Sequence, residues 1–239
     1  DPYHHSLTRF NAKAHHWLRA HPPLRQKPWL LEPLALSKFC ATFIEQQVGG
    51  NLTEASLALR LPTLLPYNGV LFVRLVDALT QLPESYPVYT NRGASGIDGL
   101  LATAAGIGIG SNKPVVAVIG DTSTLYDLNS FALFKNVTQP TVIFVINNNG
   151  GAIFDMISVD EQVKDQFYRL PHNGDFSQIA AMFDLKYAHP YTWADLNSVV
   201  KQAYSRRKAT LIEIKTNPSD GSSLYKRLIE QISHAVIGA

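Results

Sequence analysis

The sequence predicts an α/β fold: a doubly wound, mostly parallel six-stranded sheet with a short N-terminal helical appendage. Three observations carry that prediction. Residues 115–119 (VVAVI) and 141–146 (TVIFVI) are short, apolar, β-branched runs bounded by turn residues, the pattern of strands buried on both faces. Between them Leu125, Leu128, Phe131, Ala132, Leu133 and Phe134 recur at helical spacing. Strand-like and helix-like segments alternate along the rest of the chain, the order that builds a parallel sheet covered by helices.

Residues 1–30 are rich in His, Pro and Arg. Within them, residues 10–20 (FNAKAHHWLRA) read as a short amphipathic helix stopped by Pro22-Pro23. The pairs His4-His5 and His15-His16 face different sides of any regular element and lack a carboxylate partner, so a solvated or partner-facing surface is expected rather than a zinc site. Residues 34–48 read as a helix broken by Gly49-Gly50-Asn51, and residues 52–65 as a second helix in which Pro62 marks a kink or an early end. Residues 70–73 read as the first strand and residues 74–82 as a helix with Leu75, Ala78, Leu79 and Leu82 on one face. That junction is anomalous: no residue is left to connect the two, whereas βα loops take about two to six. One continuous helix over 70–82 is the alternative.

Residues 86–90 read as the second strand. It runs into the loop 91–99 (NRGASGIDG), whose small residues let a ligand approach the backbone. Residues 100–109 follow as an Ala/Gly-rich helix. Gly106, Gly108 and Gly110 imitate a dinucleotide-binding fingerprint, but that fingerprint must follow a strand and open a helix. Here the glycines are expected as a C-cap and turn before the strand at 115, so a nicotinamide- or flavin-binding reading fails. Residues 155–169 are polar and irregular; they read either as a lid that orders over a cofactor or as a surface helix. A helix (176–185), a strand (186–189), a helix (193–206), a strand (209–215) and a closing amphipathic helix (222–234) complete the chain.

Size and composition exclude several classes. With 239 residues, 46% of them apolar, the chain can bury the core of one large domain. A net charge of +2 with no basic run argues against nucleic acid. The single cysteine, Cys40, excludes an internal disulfide and fits a reducing compartment, so a cytoplasmic location is expected. No apolar run approaches a membrane span, and no signal peptide opens the sequence.

The chemistry concentrates where the two central strands end. The first ends in Gly120-Asp121 and the second in Asn147-Asn148-Asn149-Gly150-Gly151; a right-handed crossover makes the strands parallel and brings both ends to one rim. Asp121 offers a hard carboxylate oxygen, Asn148 an amide oxygen and Gly150 a backbone carbonyl. Three protein oxygens leave half of an octahedral Mg²⁺ (or Mn²⁺) shell for diphosphate oxygens and water. The helix after Asp121 is expected to turn the N–H groups of Thr122, Ser123 and Thr124 toward the same anion.

A GD pair, a helix and then NN, in a βαβ context, resembles the fingerprint of thiamine diphosphate enzymes. The departure is Thr122, where most members have a second glycine; Asp121, which carries the metal contact, is retained. The stretches NRGASGIDG (91–99), YDLN (126–129) and NNNGGAIF (147–154) are most similar to the 2-succinyl-5-enolpyruvyl-6-hydroxy-3-cyclohexene-1-carboxylate synthases of menaquinone biosynthesis. That resemblance implies thiamine diphosphate and Mg²⁺ as cofactors, decarboxylation of 2-oxoglutarate, and conjugate addition of the resulting carbanion to isochorismate. It implies that Arg92 and Arg74 contact substrate carboxylates, which a bidentate guanidinium suits. It also implies that Ile97 wedges between the cofactor rings and that Ile153, Phe154 and Ile157 line the apolar side of the pocket.

A three-domain organisation is implied as well. Residues 1–30 would be the tail of a central domain and a linker, and residues 31–239 the diphosphate- and Mg-binding domain. The cofactor would lie between subunits of a homo-oligomer, with an activating glutamate supplied from a domain ahead of this chain. The same resemblance places a short Gly-Asn-Ser-containing loop at the 73–74 junction, which this sequence lacks. An acetolactate synthase, an oxoacid decarboxylase or a non-catalytic domain remain the alternatives.

Overall fold

Apolar runs become strands where expected. The strands β1 (Val70–Val73), β2 (Val88–Tyr89), β3 (Val115–Gly120), β4 (Thr141–Asn147), β5 (Lys186–Ala188) and β6 (Ala209–Lys215) form one sheet in the order β2-β1-β3-β4-β6-β5. All its pairings are parallel. The helices are α1 (Leu31–Val48), α2 (Glu54–Leu64), α3 (Leu100–Ser111), α4 (Asp121–Tyr126), α5 (Glu161–Lys164), α6 (Ser177–Met182), α7 (Trp193–Tyr204) and α8 (Pro218–Ile237). The computed structural model describes residues 31–73, 86–91 and 96–237. The expected helices at 10–20 and 74–82, the histidine pairs, Arg74 and Arg92 lie outside the described residues.

Two compact units divide the chain, Asp1–Thr42 and Phe43–Ala239. The described part of the first is the start of α1. In the second, alternate residues of β3 and β4 serve opposite cores. Ala117, Ile119, Ile143 and Val145 pack with Leu101, Phe131, Phe134 and Phe176. Val116, Val118, Val142 and Phe144 pack with Leu57, Leu61, Leu196 and Val200. Burial on both faces is why these strands read as unbroken apolar runs rather than alternating ones.

Local signals set the helix ends. Thr53 and Ser56 form a capping box at the start of α2, and Thr192 and Asp195 form another at α7; each satisfies N–H groups that a helix start leaves open. Pro62 sits inside the last turn of α2, which ends two residues later.

Three expectations are corrected. Gly106, Gly108 and Gly110 do not end α3: all lie within it, and Asn112, at φ 51°, is the C-cap. A Cβ at Gly108 would come within 2.9 Å of Val137 Cγ1, so that glycine serves close packing. The second strand is only two residues long. The helix expected between β3 and β4 breaks at Asp127, and the chain continues as a 3-10 helix over Leu128–Asn136. The break has a cause. Asp127 Oδ2 accepts the N–H groups of Leu101 at 2.7 Å and Ala102 at 3.2 Å, capping α3, whose own N-cap is Gly99 with no side chain to offer.

The segment 155–169 is not one continuous surface helix. It contains the end of a 3-10 turn (Ala152–Met156), α5 and a π-turn (Asp165–Arg169). Among the described residues no helix is long and apolar enough to cross a membrane.

Candidate functional site

Gly120 pairs with Ile146 at the carboxyl ends of β3 and β4, so Asp121 and Asn148 leave neighbouring strands at the same rim. Asp121 is 2% exposed. Its Oδ1 accepts the Thr122 N–H at 2.6 Å. Its Oδ2 accepts the Gly150 N–H at 2.9 Å, a bond that ties the two strand ends together. His172 Nε2 lies 3.1 Å from the same oxygen. Asn148 Oδ1 is buried and has no hydrogen-bond partner. An orphaned buried acceptor costs about 1–3 kcal/mol, and a hard cation beside it removes that cost. A carboxylate and an unpartnered amide oxygen on adjacent strand ends fit Mg²⁺, which takes oxygen donors.

The neighbouring asparagines hold this turn. Asn147 Nδ2 donates to Glu213 Oε1 at 2.6 Å and to the Gly174 carbonyl at 3.0 Å, while its Oδ1 accepts the Asn149 N–H at 3.1 Å. Asn149, at φ 66°, exchanges two hydrogen bonds with Asn173. Glu213 is fully buried, and its Oε2 accepts from the Phe176 N–H and the Tyr187 hydroxyl. Burial, and then the Glu213 carboxylate, push the Tyr187 hydroxyl well above its ordinary range.

Gly150 and Gly151 also make room for neighbouring backbone. A Cβ at Gly150 (φ 124°) would lie 2.1 Å from the Arg169 carbonyl oxygen, and one at Gly151 2.2 Å from that of Tyr168. They admit the protein's own passing backbone, and Gly151 N–H donates to Arg169 O at 2.7 Å. The Gly150 carbonyl accepts from Ala152 N–H and keeps a second lone pair. Arg169 pairs with Asp155, Glu161 and Asp165; these bonds hold its guanidinium above its ordinary pKa.

Of the other expected site residues, Thr122 does not turn a free N–H outward, because that N–H is bound to Asp121. Ser123 is buried in α4. Ile153, Phe154 and Ile157 are 45%, 37% and 40% exposed and expose apolar surface from the stretch just after Gly150-Gly151. Ile97 is half-buried.

Three residues carry no role in the sequence-based expectation. His172 belongs to the PHNG turn (171–174), which gave no metal-like spacing. Glu213 sits mid-strand. Glu54, in the first turn of α2, is exposed as a residue, its carboxyl end turned toward the site. Its pKa is nonetheless raised: burial pushes it up, a hydrogen bond with Asn148 pulls it down, and the charge of Asp121 pushes it up again. Among the described residues no group of three or more His, Cys, Asp or Glu could hold a metal.

Residues 1–73 match the family model described as the middle domain of thiamine pyrophosphate enzymes. Residues 77–214 match "Thiamine pyrophosphate enzyme, C-terminal TPP binding domain". The 2-succinyl-5-enolpyruvyl-6-hydroxy-3-cyclohexene-1-carboxylate synthase of Haemophilus influenzae (strain PittEE) is 96% identical over 245 residues, and that of Pasteurella multocida (strain Pm70) is 74% identical over 244. Both alignments cover 100% of this chain but 43% of the relative. The first runs over 245 positions against a chain of 239, so six positions of that relative have no counterpart here.

Benzoylformate decarboxylase from Polynucleobacter necessarius shares the fold with a TM-score of 0.61 at 18% identity, over 69% of this chain and 33% of that one. A 4-hydroxybenzoylformate decarboxylase from Rhodococcus jostii RHA1 does so with a TM-score of 0.58 at 24% identity, over 71% and 33%. The match over residues 77–214 spans more than half of the sequence, and the chain belongs to the thiamine pyrophosphate enzymes, carrying their C-terminal TPP-binding domain.

Proposed function

We propose that this chain is the diphosphate-anchoring part of a synthase that decarboxylates 2-oxoglutarate and joins the product to isochorismate. The 96% identity over the whole chain to a relative named for that activity carries the reading. Thiamine diphosphate, when bound, supplies the electron sink for decarboxylation of a 2-oxoacid. The chain's own contribution is binding and orientation. Asp121, Asn148 and the Gly150 carbonyl hold a Mg²⁺ ion against the diphosphate. Thr122 and Ser123 sit beside them at the start of α4. Ile97, Ile153, Phe154 and Ile157 present apolar surface to the cofactor rings. Arg74 and Arg92 pair with substrate carboxylates, a contact favoured by a planar guanidinium.

Residues 31–239 form the diphosphate- and Mg-binding domain in this reading, and residues 1–30 the end of a central domain; the middle-domain match supports a central domain at this end of the chain and runs on to residue 73, past the boundary at 30. A second subunit covers the cofactor in a homo-oligomer, and the exposed apolar side chains after Gly151 support a covering of that kind. The deciding assay supplies the protein that contains this chain with 2-oxoglutarate and isochorismate, or with pyruvate in place of 2-oxoglutarate. Product from the first pair and none from pyruvate is expected. Turnover of pyruvate alone would transfer the reading to an acetolactate synthase or an oxoacid decarboxylase.

A further inference from the structure

His172 is a hydrogen-bonded polar group at the rim that the chemistry above does not use. Its Nδ1 accepts the Gly174 N–H at 3.0 Å, so the ring proton of the neutral imidazole is on Nε2. That Nε2–H lies 3.1 Å from Asp121 Oδ2, with the two side chains 16% and 3% exposed. The ring is fixed edge-on to Phe176, centroids 6.3 Å apart at 77°. Gly150 N–H takes the same oxygen, so both lone-pair positions of Oδ2 are filled. Oδ1 holds one short bond, from Thr122 N–H; its other contact is the rotatable Thr122 hydroxyl at 3.3 Å. Oδ1 is therefore the oxygen with a position to give to a cation.

We propose that His172 is a positioning residue for the cation site. Its Nε2–H, held in that tautomer by Gly174, joins Gly150 N–H in saturating Asp121 Oδ2 and so directs Oδ1 to a divalent cation bound with a diphosphate. The proposal rests on the Asp121–Asn148 reading above. Partners that orient a ligand in this way typically govern metal affinity by about 10- to 100-fold. A histidine that merely occupied the cation's place would act in the opposite sense, and its removal would tighten binding.

The test titrates Mn²⁺ at saturating thiamine diphosphate, reading free Mn²⁺ by electron paramagnetic resonance, in the protein that contains this chain. His172→Ala should weaken Mn²⁺ affinity by about 10- to 100-fold without lowering the cation-free melting temperature. His172→Gln, which keeps an N–H donor at similar reach, should restore most of it. If His172→Ala does not fold, His172→Leu, which fills the space without a donor, replaces it against His172→Gln. Asp121→Ala is the control: wild-type Mn²⁺ binding in that variant removes the reading on which the proposal rests. Loss in Asp121→Ala combined with unchanged or tighter binding in the His172 variants overturns the proposal alone. Equal weakening in His172→Gln and the donor-free variant also overturns it.

Discussion

Asn147, Asn148 and Asn149 share a side chain but not an environment. Asn147 is tied to buried Glu213 and to Gly174, and Asn149 adopts a positive φ and clasps Asn173; only Asn148 keeps a buried oxygen without a partner. The pattern NN after a strand marked Asn148 in the sequence. Its flanking asparagines were not separable there, because their partners lie 24 to 66 positions away. Glu54 was invisible for the same reason: nothing in LTEASL announces that its carboxylate hydrogen-bonds Asn148 and feels the charge of Asp121. Its raised pKa has a stability consequence. Over the interval above the unfolded value of about 4.3, the native state holds more of this proton than the unfolded state, so ionisation costs stability as pH rises through that interval. Glu54→Gln should therefore raise the melting temperature at pH 7 in the absence of divalent cations. The gain should disappear below about pH 4, where both states are protonated. A gain that does not change with pH would contradict this account of Glu54.

At the scale of elements, the site depends on how β4 and β6 are joined beyond the sheet's own ladder. Glu213 is fully buried in β6 and accepts from Asn147 Nδ2, Phe176 N–H and the Tyr187 hydroxyl. It anchors the β4 turn, the start of α6 and β5 to a single carboxylate. Glu213→Leu would leave the buried Phe176 N–H without its acceptor and take one acceptor each from the Tyr187 hydroxyl and from Asn147 Nδ2, which keeps the Gly174 carbonyl; a buried unsatisfied group costs about 1–3 kcal/mol. A loss of about 3 kcal/mol in urea unfolding is expected, and a loss below about 1 kcal/mol would show that water or a relaxed geometry replaces the carboxylate. Element types were largely legible because the strands are apolar on both faces and the helices carry caps such as Thr53 and Thr192. The break at Asp127 was not, because the side chain that causes it serves a helix some 25 positions earlier. Nor was the path of 152–174, which is set by its backbone crossing Gly150 and Gly151 and by Arg169 gathering three carboxylates.

For the whole molecule, the parallel order β2-β1-β3-β4-β6-β5 gathers the carboxyl ends of all six strands on one rim, where ligands of open α/β sheets bind. Sheet class and rim followed from alternating strand and helix segments and from the apolar character of β3 and β4. The strand order itself required the pairings. The central claim is that Asp121 and Asn148 share one cation beneath a diphosphate. Crystals of the protein containing this chain, grown with Mn²⁺ and thiamine diphosphate, test it through anomalous scattering. A single Mn²⁺ peak within about 2.0–2.3 Å of Asp121 Oδ1, Asn148 Oδ1 and the Gly150 carbonyl is the predicted result; a peak that touches Asp121 without Asn148, or lies away from both, would contradict it.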